Sequence, residues 1–265
     1  MAIYDCCMYF DEDLLLDLRM NILRDTADKF VIVEATRDHS GKEKTLKFDI
    51  NKFKKFKDRI IYHIVEDIPE KVTSYKKGWS PDFYRENFHR NSIEKALTEC
   101  NPNDLILISD ADEIPNPDIF KEIKIKKFAL FAQNSYLYKF NLFLEKNWLG
   151  TGACYKKYLK SPQWLRNKRF LRRGFIRKIF FKTQIIQNGG WHFSFLKTPE
   201  EILKKMSSYA HSEFKESLDI NYIQKKISDR KTFFSKDQKL TKVPIDANLP
   251  SYIRLNIDAY SDWII

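Results

Sequence analysis

Glycine is scarce in this chain, seven in 265 residues, and proline contributes only nine. No stretch rich in Gly, Ser or Pro divides the sequence, and no internal repeat is present. One main domain over residues 1–235, with a C-terminal extension over 236–265 packed on it, is therefore expected. Cysteine is limited to Cys6, Cys7, Cys100 and Cys154, without metal-ligand spacing. The adjacent pair lies in an apolar run, so buried free thiols in a reducing compartment are expected. No window approaches about 18 uninterrupted apolar residues, the length of a membrane-crossing helix. Residues 1–10 lack a basic start and a long apolar core, and Asp5 interrupts them, so no signal peptide is expected. The expected location is cytoplasmic, with contact at the inner face of a membrane left open.

Acidic residues are outnumbered, 36 against 47 basic, for a net charge of +11. The imbalance implies anionic partners: nucleotides, lipid-linked pyrophosphates, a phospholipid surface or nucleic acid. Apolar content of 43% and aromatic content of 15% are enough for a sizeable core.

What is present first is alternation. Ala2–Phe10 reads as a strand. Asp13–Arg24 reads as a helix from its spacing of Leu14, Leu15, Leu18, Ile22 and Leu23. Strands are predicted at Lys29–Ala35, Ile60–Val65 and Leu105–Ser109, with a polar loop at Thr36–Lys44 and a helix within Pro81–Cys100. This order predicts an α/β domain with a parallel sheet of nucleotide-binding topology. After residue 127, longer and partly antiparallel strands are expected at Phe128–Phe131 and Tyr136–Leu144. Ile179–Ile186 and Gly190–Leu196, separated by Gln187-Asn188-Gly189, suggest a hairpin. A capping box of Thr198, Pro199 and Glu201 predicts a helix start.

The chemistry centres on Asp110-Ala111-Asp112-Glu113, which leaves the buried strand Leu105–Ser109. Ligands of open α/β sheets gather outside the carboxyl ends of strands. Two carboxylates there suit a hard cation, Mn²⁺ or Mg²⁺, that holds a substrate pyrophosphate. The alternative is a solvated turn whose acids cap a following helix. A second constellation is Gly189-Gly190-Trp191-His192-Phe193-Ser194. Its glycines permit close backbone approach, which makes Gly190 a candidate donor contact. His192 is either a third metal ligand or a packed strand histidine.

Gly190-Trp191-His192-x-Ser194, Thr198-Pro199-Glu200, Ile202 and Lys205 resemble glycosyltransferase family 17. So do Tyr4-Asp5-Cys6, Leu18-Arg19-x-Asn21, Asp28–Glu34, Ser40-Gly41-Lys42 and Asp110-Ala111-Asp112-Glu113-Ile114-Pro115. The similarity runs from about residue 3 to residue 235 of the 265. The resemblance implies a GT-A-like nucleotide-sugar-binding fold with a mixed, mostly parallel central sheet flanked by helices. It implies a nucleotide-sugar donor, first UDP-N-acetylglucosamine, a divalent cation at Asp110 and Asp112, and inverting transfer to a glycan or lipid-linked glycan. Animal relatives carry a membrane anchor, and no such segment is visible here, so surface-glycan synthesis is the expected setting.

Inverting transfer needs a base for the acceptor hydroxyl, and Glu200 and Glu113 are the candidates. Glu200 otherwise reads as a first-turn acid favoured by the helix dipole. Arg85 and Arg90 are candidates for the donor diphosphate, and Glu34 for the base or ribose. His211 is an alternative ligand to His192. The basic, aromatic stretch Arg166–Lys182 reads as a membrane or acceptor face, a nucleic-acid face, or a strand or hairpin with a charged outer side. Two other functions fit parts of the pattern: a metal-dependent phosphohydrolase and a basic nucleic-acid-binding protein.

Overall fold

The computed structural model describes residues 1–73, 80–122, 124–169, 183–208, 219–233 and 238–265. The candidate ligand His211 and most of the basic stretch, 170–182, fall outside them.

Strands β1 (Ile3–Tyr9), β2 (Lys29–Ala35), β3 (Ile60–Val65) and β4 (Leu105–Ser109) form the parallel half of one sheet, in the order β3-β2-β1-β4. β1, β2 and β4 are near-continuous apolar runs because both faces are covered, whereas β3, at the edge, is only half-buried. Cys6, Val31, Val33, Ile106 and Ile108 pack under Ile93, Ala96 and Leu97, which follow helix α2 (Pro81–Asn91). Cys7, Tyr9, Phe30 and Ile32 point the other way, onto Leu16, Met20 and Leu23 of helix α1 (Asp13–Ile22). All four cysteines are free thiols; Cys6, Cys7 and Cys154 are buried as expected, and Cys100 is partly exposed.

Beyond β4 the sheet turns mixed. It continues through β5 (Glu113–Pro115), β6 (Phe128–Leu137), β7 (Leu142–Tyr155), β8 (Gln184–Ile186), β9 (Gly190–Ser194) and β10 (Thr241–Lys242). The path runs β4-β7-β6-β9-β5, with β8 also on β6 and β10 on β7. The α/β class with helices flanking a mixed sheet is thus present.

Two local expectations are corrected. Tyr136–Leu144 is not one strand, because the chain reverses between β6 and β7 with Tyr138 at φ 66°. Tyr138 and Phe140 are buried in that turn, so its apolar pattern does not mark it as a turn. Nor do β8 and β9 form a hairpin. Both run parallel to β6, with Ala129 opposite Gln184 and Asn134 opposite Trp191. Residues 187–189 step between them, anchored where Gly189 N–H donates to Ala132 O at 2.8 Å.

Four more helices are α3 (Ile119–Glu122), α4 (Pro162–Asn167), α5 (Pro199–Ser208) and α6 (Ile220–Ser228). The capping box of α5 forms as expected: Thr198 N–H donates to Glu201 Oε2 at 2.9 Å, and Glu201 N–H to Thr198 Oγ1 at 3.3 Å. The start of the basic stretch is helical, with Ser161 as N-cap of α4, rather than extended. Its side chains there turn inward, Arg166 being 1% and Lys168 4% exposed, which does not suit a membrane-facing surface.

The C-terminal segment carries α7 (Ser251–Leu255) and a 3-10 turn at Ile257–Trp263. Leu249, Ile253 and Tyr260 join Ile114, Tyr136, Phe140 and Trp191 in one cluster beneath the acidic turn. Trp191 Nε1 donates to Asn248 O at 2.6 Å, pinning β9 from below.

Candidate active site

The acidic turn is clamped by its own residues. Glu113 N–H donates to Asp110 O, and Asp110 N–H to Glu113 Oε2, both at 3.0 Å. From α1, Arg19 Nη1 donates to the Glu113 carbonyl at 2.7 Å. The other side of that guanidinium grips Asp5 at 2.5 and 2.6 Å, with both side chains fully buried. A buried charge needs a partner and filled hydrogen bonds, and the turn's carbonyls complete this one.

Pairing of β5 with β9 sets Glu113 opposite His192 and brings the two sequence constellations together. Gly190 sits at φ 132°, and a Cβ there would lie 2.1 Å from Ile114 O. The glycine therefore permits close approach of β9 to β5. Gly190 does not line the cavity described next.

A cavity of about 470 Å³ opens over the carboxyl ends of β1, β2 and β4 and runs onto the mixed half. Asp110, Asp112, Glu113, Arg90 and His192 line it, whereas Glu34, Arg85 and Glu200 do not. Glu34 is fully buried and spends its oxygens on Lys44, on the N–H groups of Lys47 and Phe48, and on Tyr62 OH. Arg85 donates to the carbonyls of His39, Pro69 and Glu70, tying two loops together. Glu200 is exposed on the first turn of α5, in keeping with a helix-dipole role.

Glu113 is saturated. Trp148 Nε1 donates to it at 2.8 Å, Arg166 binds both its oxygens, and the Asp110 N–H completes the set. Every lone-pair position in its plane is taken, so it has none for a substrate hydroxyl. Arg166 Nη2 also reaches Asp110 Oδ2 at 2.5 Å, and Arg90 Nη2 reaches Asp110 Oδ1 at 2.9 Å. Burial pushes the Asp110 pKa up, but Arg166, Arg90 and Arg169 outweigh it and hold it far below the usual carboxylate range.

Asp112 faces a different partner. Its Oδ2 lies 3.7 Å from His192 Nε2. Burial opposes the charged forms, yet mutual attraction lowers the Asp112 pKa, with help from Lys205, and raises that of His192. Ser135 Oγ bonds Nδ1 of His192 at 3.1 Å, and Trp148 stacks on the ring at 4.6 Å. These contacts fix the imidazole plane and leave Nε2 facing Asp112, the outer-shell arrangement of a ligating histidine. Asp112 and His192 therefore fit a divalent cation. Among the described residues no cluster of three or more His, Cys, Asp or Glu surrounds them. Asp110 carries one guanidinium on each oxygen, Arg90 on Oδ1 and Arg166 on Oδ2, so a cation there would share its carboxylate with both arginines.

Other cavity residues carried no motif in the sequence. Ser135 pairs with His192 on one side and Glu145 on the other, so Glu113, His192, Ser135 and Glu145 form one row across β5, β9, β6 and β7. Side chains directly opposite on neighbouring strands share a face, and all four line the cavity. Over the parallel half the lining includes Arg37, His39, Glu86 and His89. His89 Nε2 lies 3.1 Å from Val33 O, and its Nδ1 lies 3.4 Å from His39 Nε2.

Comparison with known proteins agrees with the resemblance read from the motifs. The model of glycosyltransferase family 17 matches residues 1–236. Beta-1,4-mannosyl-glycoprotein 4-beta-N-acetylglucosaminyltransferases of Rattus norvegicus and Homo sapiens are 25% identical over 278 aligned residues. These alignments cover 93% of this chain but 51% and 52% of the relatives, so the chain spans about half their length. Among solved structures, an active-site mutant of LgtC aligns over 71% of this chain and 72% of its own, at 12% identity and a TM-score of 0.33. GlyE of Streptococcus pneumoniae TIGR4 aligns over 70% and 45%, at 13% identity and 0.33.

Proposed function

This chain belongs to glycosyltransferase family 17, and from that premise we propose that it moves a sugar from a nucleotide-sugar donor to a glycan hydroxyl. The observation that carries the reading is the Asp112–His192 pair, held 3.7 Å apart on the wall of the large cavity. Asp112 and His192 would hold Mn²⁺ or Mg²⁺, with substrate oxygens and water as further ligands. A bound cation neutralises the donor's diphosphate as a leaving group. UDP-N-acetylglucosamine is the first donor, in line with the printed names of the curated relatives. Arg90 and Arg166 add positive charge to the cavity wall and fix Asp110. A lipid-linked or surface glycan assembled at the cytoplasmic side suits the net charge of +11.

For inverting transfer the base must face the acceptor with an available lone pair. Glu145 meets that requirement better than Glu113 or Glu200. It lines the cavity, is exposed, and its side chain makes no hydrogen bond or ion pair among the described residues. It stands two strands from His192, roughly 10 Å by sheet spacing, room for a sugar between base and cation.

Calorimetry of the whole chain with UDP and UDP-N-acetylglucosamine, with and without Mn²⁺, tests the reading. Mn²⁺-dependent binding that Asp112→Ala abolishes is the expected result. Binding indifferent to Mn²⁺ and to Asp112→Ala would overturn the cation site. Sugar release that needs no acceptor would point to a phosphohydrolase.

A further inference from the structure

A second cavity, of about 370 Å³, lies between α2 and α4. Its lining is Tyr84, Asn87, Phe88 and Asn91 from α2, with Ser161, Gln163, Trp164 and Asn167 from the α4 region. None of the eight is charged, in a chain where 31% of residues are. The four α2 residues are spaced i, i+3, i+4 and i+7, one face of a helix.

The amides are only partly used. Asn91 Oδ1 accepts from Gln163 N–H at 2.9 Å, and Asn167 Oδ1 accepts from Gln163 Nε2 at 2.8 Å. Their own NH₂ groups bond nothing among the described residues. Asn87 is 5% exposed, and neither its nitrogen nor its oxygen has a partner among the described residues. A buried amide left unpaired costs about 1–3 kcal/mol, so Asn87 needs something in that cavity that both donates and accepts. Hydroxyl groups do both. The rings of Tyr84, Phe88 and Trp164 add apolar surface of the kind that covers the C–H faces of a pyranose.

We infer that this cavity is a binding site for a neutral oligosaccharide, separate from the transfer site. The absence of charge in the lining disfavours nucleotides, phosphorylated lipids and acidic sugars, which the large cavity is built to attract. The two sites stand back to back across one residue: Arg90 donates to Gln163 through Nη1 and to Asp110 through Nη2.

The test is saturation-transfer NMR and calorimetry on the whole chain in EDTA without donor, using chitotriose, mannotriose and maltotriose. At least one should bind. Asn87→Leu should weaken it about tenfold, the loss of one or two hydrogen bonds. Asn167→Ala, on the partly exposed rim, should weaken it less and serves as the variant least able to disturb folding. Asp112→Ala should leave it unchanged. No binding by any of the three, or binding that survives both asparagine variants, would overturn the inference. Binding lost only in Asp112→Ala would assign the saccharide to the transfer cavity instead. Because no transfer is measured, failure of the proposed activity would leave this result readable.

Discussion

Two clamped carboxylates, Asp110 and Glu113, and the open groups beside them, Asp112, His192 and Glu145, share one cavity but are built in opposite ways. In the turn, Asp110 and Glu113 have their carboxylate oxygens held by Arg90, Arg166, Trp148 and a backbone N–H. Where the turn meets the row, Asp112 and His192 hold one another loosely at 3.7 Å, and farther along the row the Glu145 carboxylate has no partner among the described residues. Acidity therefore does not identify the reacting group here. A carboxylate whose lone pairs are filled is architecture, and one whose lone pairs are open is available for chemistry.

Variants should separate the two. The largest effect is expected from Arg166→Met, which strands two carboxylates in the wall. Removing one partner of a buried pair costs about 3–5 kcal/mol, to be read from urea unfolding midpoints. A loss below about 1 kcal/mol, the scale of an exposed pair, would remove the distinction between turn and row. Next is Glu145→Gln. Loss of a general base costs about 10²–10⁴-fold in rate, while donor affinity and stability should hold. If turnover survives, the row's open carboxylate is not the base.

A smaller effect is expected at His89, on the parallel side of the cavity. Burial, and then the charge of His39, keeps its pKa well below the ordinary 6.5. The unfolded chain takes up a proton near that value and the folded chain does not, so stability is present above it and lost as pH falls. The slope is at most about 1.4 kcal/mol per pH unit per group. His89→Gln should flatten the decline measured between about pH 6.5 and 5. The smallest is Thr198→Ala at the α5 cap, about 1 kcal/mol by thermal melts. That variant lies outside both regions and should leave the Glu145 and Arg166 effects additive with it.

What the sequence made legible follows from how local each signal is. Lys29–Ala35, Ile60–Val65 and Leu105–Ser109 are strands with the bounds expected of them; burial on both faces writes a largely apolar run in the first and last, and the half-buried edge strand between them keeps enough of that pattern to be read. The α5 cap is readable because both partners lie within four residues. The turn at Tyr138 and the parallel placement of β8 and β9 are not, because burial there depends on a distant tail and on β6. Asp112, His192 and Arg90 meet at the cavity, whereas Glu34 and Arg85 serve loops. Trp148 and Glu145 had no motif to announce them as a site. They meet the acidic turn only through strand order, which no local spacing encodes. Asp5 and Arg19 stood inside matching motifs, yet their partnership is visible only in three dimensions.

That pair also bears on how the chain is made. Arg19 finds Asp5 only 14 residues away, but its remaining donor waits for carbonyls 91 and 94 residues downstream. During synthesis the first strand and helix emerge with a guanidinium whose last hydrogen bonds do not yet exist. The N-terminal layer therefore completes its own interior only after residue 113 has left the ribosome. A translational pause placed before that point would prolong the life of a half-finished layer, and one placed after it would not.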